Sequence, residues 1–315
     1  MRPMRKLLFP GAVVLGYHRV ADTQWDPLGL AVSIRDFSEQ LDVLASKLTI
    51  VSLPELVRRQ HAGRNVDGLV AITFDDGYRD YLQNALPLLS RVDAQATVFI
   101  ATGSTDRAFW WEQVVEVLTP GEDAVESLRV RFGPGSQEIL YRGLSLAAIR
   151  RQAVCDLCHR LRDADNVTIA DVLAQLQRQA PSARRPESGG MPLASGELKR
   201  LAASDATDIG AHTVNHGCLG VLDHETQRYQ IEKSRDDLQE LTGRPVVSFS
   251  YPNGSLSRVT PKLVADCGFQ QACTSAEGSF GRRGDPFRIP RLWPPGGPAA
   301  EFEQWLSGWA TLKRA

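Results

Sequence analysis

The sequence lacks long hydrophobic runs, an excess of charge of one sign and a paired set of cysteines. No apolar run reaches the roughly 18 residues that a transmembrane helix needs. The 36 Lys and Arg nearly balance the 37 Asp and Glu, and the formal net charge of −1 gives no electrostatic reason to expect nucleic acid or an anionic membrane as a partner. Five cysteines in 315 residues, an odd number, do not indicate a disulfide framework. These absences favour a globular chain with no transmembrane segment and no nucleic-acid partner.

The sequence contains one CxxC pair, Cys155 and Cys158, and no second pair that would complete a four-cysteine zinc site. The pair lies in a helix-like stretch, AVCDLCHRLRD. We therefore expect two half-buried helix residues, with zinc or redox chemistry as the alternative.

The N-terminal stretch MRPMRKLLFPGAVVLGY imitates a secretory signal, because a basic start precedes an apolar run. Pro10 and Gly11 interrupt that run, and no A-x-A cleavage site follows. We expect residues 12–17 to form a strand of the folded chain. The expected location is therefore cytoplasmic, with secretion as the alternative.

Apolar stretches rich in β-branched residues alternate with helix-like stretches along most of the chain. This rhythm is typical of α/β proteins with a parallel sheet or barrel. The predicted strands cover residues 12–17, 50–51, 69–74, 96–101, 207–211, 246–251 and 271–274. Between about residues 104 and 192 the rhythm gives way to predicted helices, a small hairpin and a Pro/Gly-rich segment at 181–192. We interpret that stretch as a mostly helical insertion into one domain spanning residues 1–315.

The stretch LVAITFDDGYRD, residues 69–80, combines an apolar strand with two adjacent carboxylates. Asp75 and Asp76 follow the strand directly, and Gly77 ends the run. Adjacent acids at the end of a buried strand repel each other and resist desolvation, so a cation is expected beside them. A metal ion is the favoured cation, and an Asp-Gly turn capped by polar residues is the alternative.

A second polar motif, AHTVNH, also follows a predicted strand. His212 and His216 are spaced i, i+4, which on one turn of helix places both imidazoles on the same face. A lone HxxxH pair is most often two surface residues with no metal. Two histidines and one carboxylate, however, form a facial set of ligands that leaves positions open for water and substrate. A metal lowers the pKa of its bound water, and the second carboxylate can take the proton.

Together the two stretches resemble a known family, the polysaccharide deacetylases, which form the NodB-homology group, carbohydrate esterase family 4. The family's first motif, TFDDG, stands unaltered at residues 73–77, and its second, H-[ST]-x-x-H, stands at residues 212–216. The resemblance implies a distorted, incomplete (β/α) barrel, TIM-like and with about seven strands, whose site lies at the C-terminal ends of the strands.

The same resemblance implies the roles of the motif residues. Asp75 would be the catalytic base. Asp76, His212 and His216 would bind a divalent metal, with Zn2+ as the expected ion.

The third family motif carries an arginine before a Pro-Tyr pair, and the corresponding stretch here, SFSYPNG, has none. It resembles a variant YP-x-G form, in which a backbone N–H near Tyr251 would help to form the oxyanion hole. A strand-ending Pro-Asn-Gly turn is the alternative. Arg291, in RIPRL, is the candidate to orient Asp75 in place of the missing arginine, and a solvated or structurally paired arginine is the alternative.

The last family motif, a Leu-x-His near the C-terminus, is absent, because no histidine follows His224. The N-terminal LGYHRV has the same form, with His18 at the end of a predicted strand. This arrangement resembles circularly permuted members, in which the closing motif stands at the front. His18 would then protonate the leaving amine, and a structural or surface histidine is the alternative.

The resemblance thus predicts a metal-dependent hydrolase that removes N-acetyl groups from an N-acetylated sugar, whether in a polysaccharide, a glycan precursor or a sugar-lipid. Two alternatives stay open: a hydrolase of another C–N amide on the same fold, and a carbohydrate-binding member whose site has decayed. The Phe109-Trp110-Trp111 cluster is expected to pack in the core, with a tryptophan that stacks on a sugar as the alternative. The sequence identifies neither the glycan nor the oligomeric state.

Overall fold

The computed structural model of the chain describes residues 10–105, 107–119, 125–180 and 190–312. The basic start and most of the predicted Pro/Gly-rich segment lie outside the described residues. The described residues fall into two compact units, one within Met1–Asp22, Ala31–Asp106 and Leu193–Ala315, the other within Thr23–Leu30 and Arg107–Pro192.

Strands and helices alternate over most of the first unit, and helices with one hairpin make up the second, as the sequence predicts. In chain order the strands are β1 (Val13–Tyr17), β2 (Arg19–Val20), β3 (Ala31–Val32), β4 (Thr49–Ile50), β5 (Leu69–Phe74), β6 (Ala96–Ile100), β7 (Ser127–Val130), β8 (Ile139–Arg142), β9 (Thr207–Ala211), β10 (Ser248–Ser250) and β11 (Gln271–Cys273). The helices are α1 (Ile34–Lys47), α2 (Leu53–His61), α3 (Leu86–Arg91), α4 (Trp110–Val117), α5 (Ala147–Leu161), α6 (Asn166–Gln179), α7 (Ser195–Ala202), α8 (His224–Thr242), α9 (Thr260–Asp266) and α10 (Ala299–Leu312).

The first unit is built around a parallel sheet of seven strands, in which β1, β5, β6, β9, β10 and β11 are successive neighbours and β4 pairs with β5. Every residue of β1, β5 and β6 is buried. Strands that are covered on both faces have continuous apolar sequences, which is why these three are clear in the sequence. The predicted α/β class, with a seven-stranded incomplete barrel, is confirmed.

The extended segment that follows β11 joins the two outer strands of the sheet. Ile289 donates its N–H to the carbonyl of Ala272 in β11 (2.9 Å). Leu292 donates to Val14 of β1 (2.8 Å) and accepts from Gly16 (2.9 Å). These single bridges replace a full strand, so the barrel is closed only by an irregular segment.

Alternate residues of β1 enter two different apolar clusters, as the two-residue repeat of a strand requires. Val13 and Leu15 belong to the larger cluster, to which α1 and α7–α10 contribute. Val14 belongs to a second cluster, which Leu53 and Leu56 of α2 join. Among the described helices, none combines the length and the apolar character that crossing a membrane would require.

The second unit has a core of its own, formed by α4–α6 and the antiparallel hairpin β7–β8. Phe109 and Trp111 are buried and stack with ring centroids 4.5 Å apart, which agrees with the core interpretation of this aromatic cluster. Trp25 packs against the same core from the 23–30 segment, a contribution that the sequence does not reveal. Cys155 and Cys158 lie on α5 as free thiols, the first exposed and the second half-buried.

Candidate metal centre and its surroundings

The predicted functional residues follow the C-terminal ends of four strands of the first unit. His18 follows β1, Asp75 and Asp76 follow β5, His212 follows β9, and Tyr251 follows β10. The C-terminal ends of parallel neighbours meet at one edge of a sheet, which is where β/α folds build their sites.

Asp76, His212 and His216 form one cluster, in which each offers a ligand atom within 4.8 Å of the other two. Nε2 of His216 lies 3.2 Å, and Nε2 of His212 lies 3.6 Å, from Oδ1 of Asp76. That oxygen is buried and receives no well-aligned hydrogen bond from any described residue. A buried carboxylate oxygen that faces two imidazole nitrogens and lacks a donor suits a cation, so these three residues fit a divalent metal.

Left-handed backbone in two loops brings the three ligands together. Asp76 and Gly77 have φ values of 70° and 83°, so the chain turns sharply after β5. The sequence expectation that His212 and His216 share a helical turn is wrong, because this segment is a loop in which Thr213 and His216 have φ values of 65° and 54°. The imidazoles converge, with ring centroids 4.9 Å apart, by loop geometry rather than by helical periodicity.

A glutamine of α8 fixes the histidine loop. Oε1 of the buried Gln230 accepts the N–H groups of Val214 (3.1 Å) and Asn215 (3.0 Å). The carbonyl of Val214 also accepts the N–H of Gly103, from the loop after β6. Hydrogen bonds from α8 and from the loop after β6 therefore fix the loop, and these contacts stabilise its left-handed backbone.

The environment of His212 selects the form of imidazole that binds metals. Nδ1 lies 2.8 Å from the carbonyl oxygen of Ser250, so it carries the proton and donates. Nε2 is then the lone-pair nitrogen that faces Asp76. Burial, the main cause, lowers the pKa of His212 to about 4, which keeps the ring neutral near pH 7.

Asp75 forms a bidentate ion pair with Arg291. The two Nη atoms of Arg291 donate to Oδ1 and Oδ2 of Asp75, each at 2.7 Å, and both side chains are buried. Burial alone would raise the pKa of Asp75, but the charge of Arg291 and the hydrogen bonds that it donates hold this pKa well below its ordinary value. Arg291 is thus the partner of Asp75, as the sequence predicts. The catalytic role of Arg291 stays a prediction.

Two hydroxyl groups that the sequence analysis did not single out complete this ion pair. Oγ of Ser250 accepts from Nη2 of Arg291 (3.0 Å) and lies 3.4 Å from Oδ2 of Asp75. Oγ1 of Thr73 accepts from Nη1 of Arg291 (3.2 Å), and Nε donates to the carbonyl of Thr274 (3.0 Å). The only sequence signal for Ser250 is a polar residue at the end of a buried strand.

His18 lies at the partly exposed border of the site. Its imidazole stacks on Trp293, with centroids 5.2 Å apart and planes at 21°. Its charge is among the smaller influences that lower the pKa values of Asp75 and Asp76. The structure thus places His18 within electrostatic reach of both carboxylates, and its role as acid stays a prediction.

Tyr251 is buried, and both of its hydrogen-bond donors are engaged. Its N–H donates to the carbonyl of Cys273 (3.1 Å), and its hydroxyl donates to the carbonyl of Phe287 (2.9 Å). Pro252 has no N–H, so the next backbone donor along the chain is that of Asn253, whose φ is 54°. The expectation of an oxyanion donor near Tyr251 stays a prediction, and it moves to this neighbouring N–H.

Comparison with known proteins gives a family and a set of structural neighbours. The family model described as polysaccharide deacetylase matches residues 62–127 and 170–272, more than half of the chain. The Streptococcus pyogenes deacetylase PplD, in complex with acetate, is similar with a TM-score of 0.62 and 17% identity over 94% of this chain and 98% of that one. IcaB from Ammonifex degensii has a TM-score of 0.59 and 20% identity, over 97% of this chain and 99% of that one. BC0361, a polysaccharide deacetylase from Bacillus cereus, has a TM-score of 0.58 and 17% identity, over 94% of this chain and 69% of that one. At such identities the likeness shows the fold, and no curated protein matches.

Proposed function

The chain belongs to the polysaccharide deacetylase family, and from that premise we propose that it is a metal-dependent hydrolase that removes N-acetyl groups from an N-acetylated sugar in a polysaccharide or glycan precursor. Family membership supports deacetylase activity and an acetylated polysaccharide as the class of substrate. The observation that carries the metal-dependent reaction is the Asp76–His212–His216 cluster beside a second carboxylate, Asp75, which is held by Arg291.

Asp76, His212 and His216 would hold the divalent ion, which we propose to be zinc. Two neutral imidazole nitrogens and one carboxylate oxygen match the ligand preference of zinc, and three protein ligands are the number found in its catalytic sites. When bound, the ion supplies Lewis acidity, which polarises an acyl carbonyl and acidifies water.

Asp75 would act as the general base that takes a proton from the attacking water. It is ionised near neutral pH, because its pKa is held below the ordinary value. Arg291 occupies one lone pair of each carboxylate oxygen and fixes the plane of the group. The remaining lone pairs lie in that plane and can accept the proton.

His18 would donate a proton to the amide nitrogen as the C–N bond breaks, so that acetate and a free amino sugar leave. The water proton taken by Asp75 and the proton given by His18 balance the hydrolysis. The tetrahedral intermediate also needs a hydrogen-bond donor for its oxyanion, and the N–H of Asn253 is our candidate.

The test compares acetate release from a panel of N-acetylated oligosaccharides by wild type, Asp75→Asn and His212→Ala. We expect each substitution to lower kcat/KM by roughly 10²–10⁴-fold, because one removes the base and the other a metal ligand. His224→Ala is the matched control, since this histidine is exposed at the start of α8.

Substantial acetate release by Asp75→Asn would sink the assignment of the base. Release of another acyl group, but no acetate, would favour the alternative amide hydrolase. Glycan binding without any hydrolysis would favour a decayed, carbohydrate-binding member.

A further inference from the structure

The indole of Trp293 contacts two side chains of the site, His18 and Arg291. The imidazole of His18 stacks on it at 5.2 Å, with the planes 21° apart. The guanidinium carbon of Arg291 lies 4.7 Å from the indole centroid. A guanidinium is attracted to an aromatic face, and two stacked rings attract each other, so one indole contacts both the proposed acid and the partner of the proposed base.

Stacking on Trp293 is the main contact that orients His18. Among the described residues no hydrogen bond to the His18 ring is found, whereas His212 is fixed by the carbonyl of Ser250. Trp293 itself follows Leu292, whose N–H and carbonyl both pair with β1, the strand that ends just before His18. The same backbone pairing therefore places the indole and the imidazole together.

Gly16 makes room for the indole. A Cβ atom at this position would lie 2.6 Å from Cζ3 of Trp293, closer than any real contact of that kind. The indole thus packs directly on the backbone of β1 at Gly16, where no side chain of the strand occupies the space.

We propose that Trp293 is a positioning residue, which holds His18 at the border of the site. This inference rests on the proposed function. Without the indole, the His18 ring is free to turn toward the buried carboxylate of Asp75 and form an ion pair. Its proton would then be engaged with the base instead of being available to the leaving amine.

The kinetic test is a double-mutant cycle between Trp293 and His18. We expect Trp293→Leu to lower kcat by roughly 10–100-fold with little change in KM, since general acid catalysis contributes about 10²–10⁴-fold. Trp293→Phe should restore most of the loss. In the His18→Ala background, Trp293→Leu should cost nothing further. Full additivity of the two losses, or a loss confined to KM, would overturn the proposal in favour of direct contact with substrate.

A spectroscopic test does not depend on turnover. In NMR spectra of protein with isotope-labelled histidine, the signal of His18 is assigned through its loss in His18→Gln. The indole should shift the ring protons of His18 upfield. The shift should disappear in Trp293→Leu and also in Gly16→Ala, which displaces the indole without altering it. An unshifted wild-type signal would overturn the stack. If wild type hydrolyses no acetylated glycan, the proposed function fails by itself, and this signal shows separately whether Trp293 orients His18.

Discussion

The Asp75–Arg291 ion pair is the most demanding feature of the molecule at the scale of single residues. Both side chains are almost fully buried, and their charges compensate each other through two hydrogen bonds of 2.7 Å. Removing one partner of such a pair leaves an isolated charge in the interior, whereas removing both can be nearly neutral. Comparing single and double substitutions therefore distinguishes the structural role of the pair from its proposed catalytic role.

We predict that Arg291→Met lowers the free energy of unfolding by about 3 kcal/mol at pH 7, because Asp75 loses its counter-charge. The double variant Asp75→Asn/Arg291→Met should recover most of this loss. Urea unfolding of the single and double variants measures both values. Arg288→Met is the matched control, since its side chain is 48% exposed and its partner is a surface Asp285. A double variant as unstable as Arg291→Met would show that the lost interactions are packing contacts.

Unusual backbone conformations concentrate at the candidate site. Among the described residues, five non-glycine positions have positive φ, and four of them lie in its loops: Asp76, Thr213, His216 and Asn253. Left-handed backbone costs energy for residues with a Cβ, most of all for a β-branched threonine, and persists where the surroundings fix it. These outliers explain why the helical interpretation of the His212–His216 spacing is wrong.

At the scale of elements, β9 shows where the sheet tolerates a poor local sequence. Gly210 permits close packing, because a Cβ there would lie 2.5 Å from the ring of Phe99. Asp208, two residues earlier, has a buried Oδ2 with no hydrogen-bond partner among the described residues. Burial raises the pKa of Asp208, and the charge of Arg244 opposes this only in part. The strand thus carries a carboxylate that weakens the fold at neutral pH.

We predict that Asp208→Asn raises the free energy of unfolding at pH 7 by about 1 kcal/mol, since an unsatisfied buried carboxylate is removed. The sign follows from linkage: with a raised folded-state pKa, the folded protein binds the proton more tightly, and stability falls as pH rises through that pKa. The gain should therefore shrink as pH is lowered from 7 toward the ordinary value of 3.8.

Urea unfolding over this pH range measures the gain from Asp208→Asn. Asp205→Asn is the control, because its side chain is fully exposed. A gain that stays constant with pH would contradict the prediction and point to a change in packing.

The elements that the sequence predicts well are those whose signal is local. β1, β5 and β6 are continuous apolar runs, and the α1 start is marked by Ser33, whose side chain accepts from Asp36 N–H as an N-cap. The contacts that complete the site are not local. Arg291 and Asp75 are 216 positions apart, and Arg291 and Thr73 are 218 apart. No periodicity predicts such pairings, so the family motifs indicate only the proposed ligands, while the contacts of Ser250 and Trp293 appear only in the folded chain.

At the scale of the whole molecule, the two compact units bear on the domain organisation. The family match stops at residue 127 and resumes at 170, and this gap falls inside the second unit. We propose that this unit is an insertion into a single deacetylase domain, in line with the insertion at about 104–192 that the sequence suggests. The 23–30 segment, which packs with it, is the part that the sequence pattern misses.

Metal binding should stabilise the folded chain, because the three ligands are brought together only by folding. At a free zinc concentration of 100 times Kd, mass action predicts a gain of about 2.7 kcal/mol, seen as a rise in Tm. Asp76→Asn and His216→Ala should lose this zinc-dependent rise, since each removes a ligand from the cluster. Asp75→Asn should keep it, because Asp75 is proposed as the base and lies outside the ligand set.

Thermal unfolding with and without zinc measures the rise for each variant, with His224→Ala as the control. Loss of the rise in Asp75→Asn would show that both carboxylates bind the metal, and the division into one ligand and one base would then be wrong.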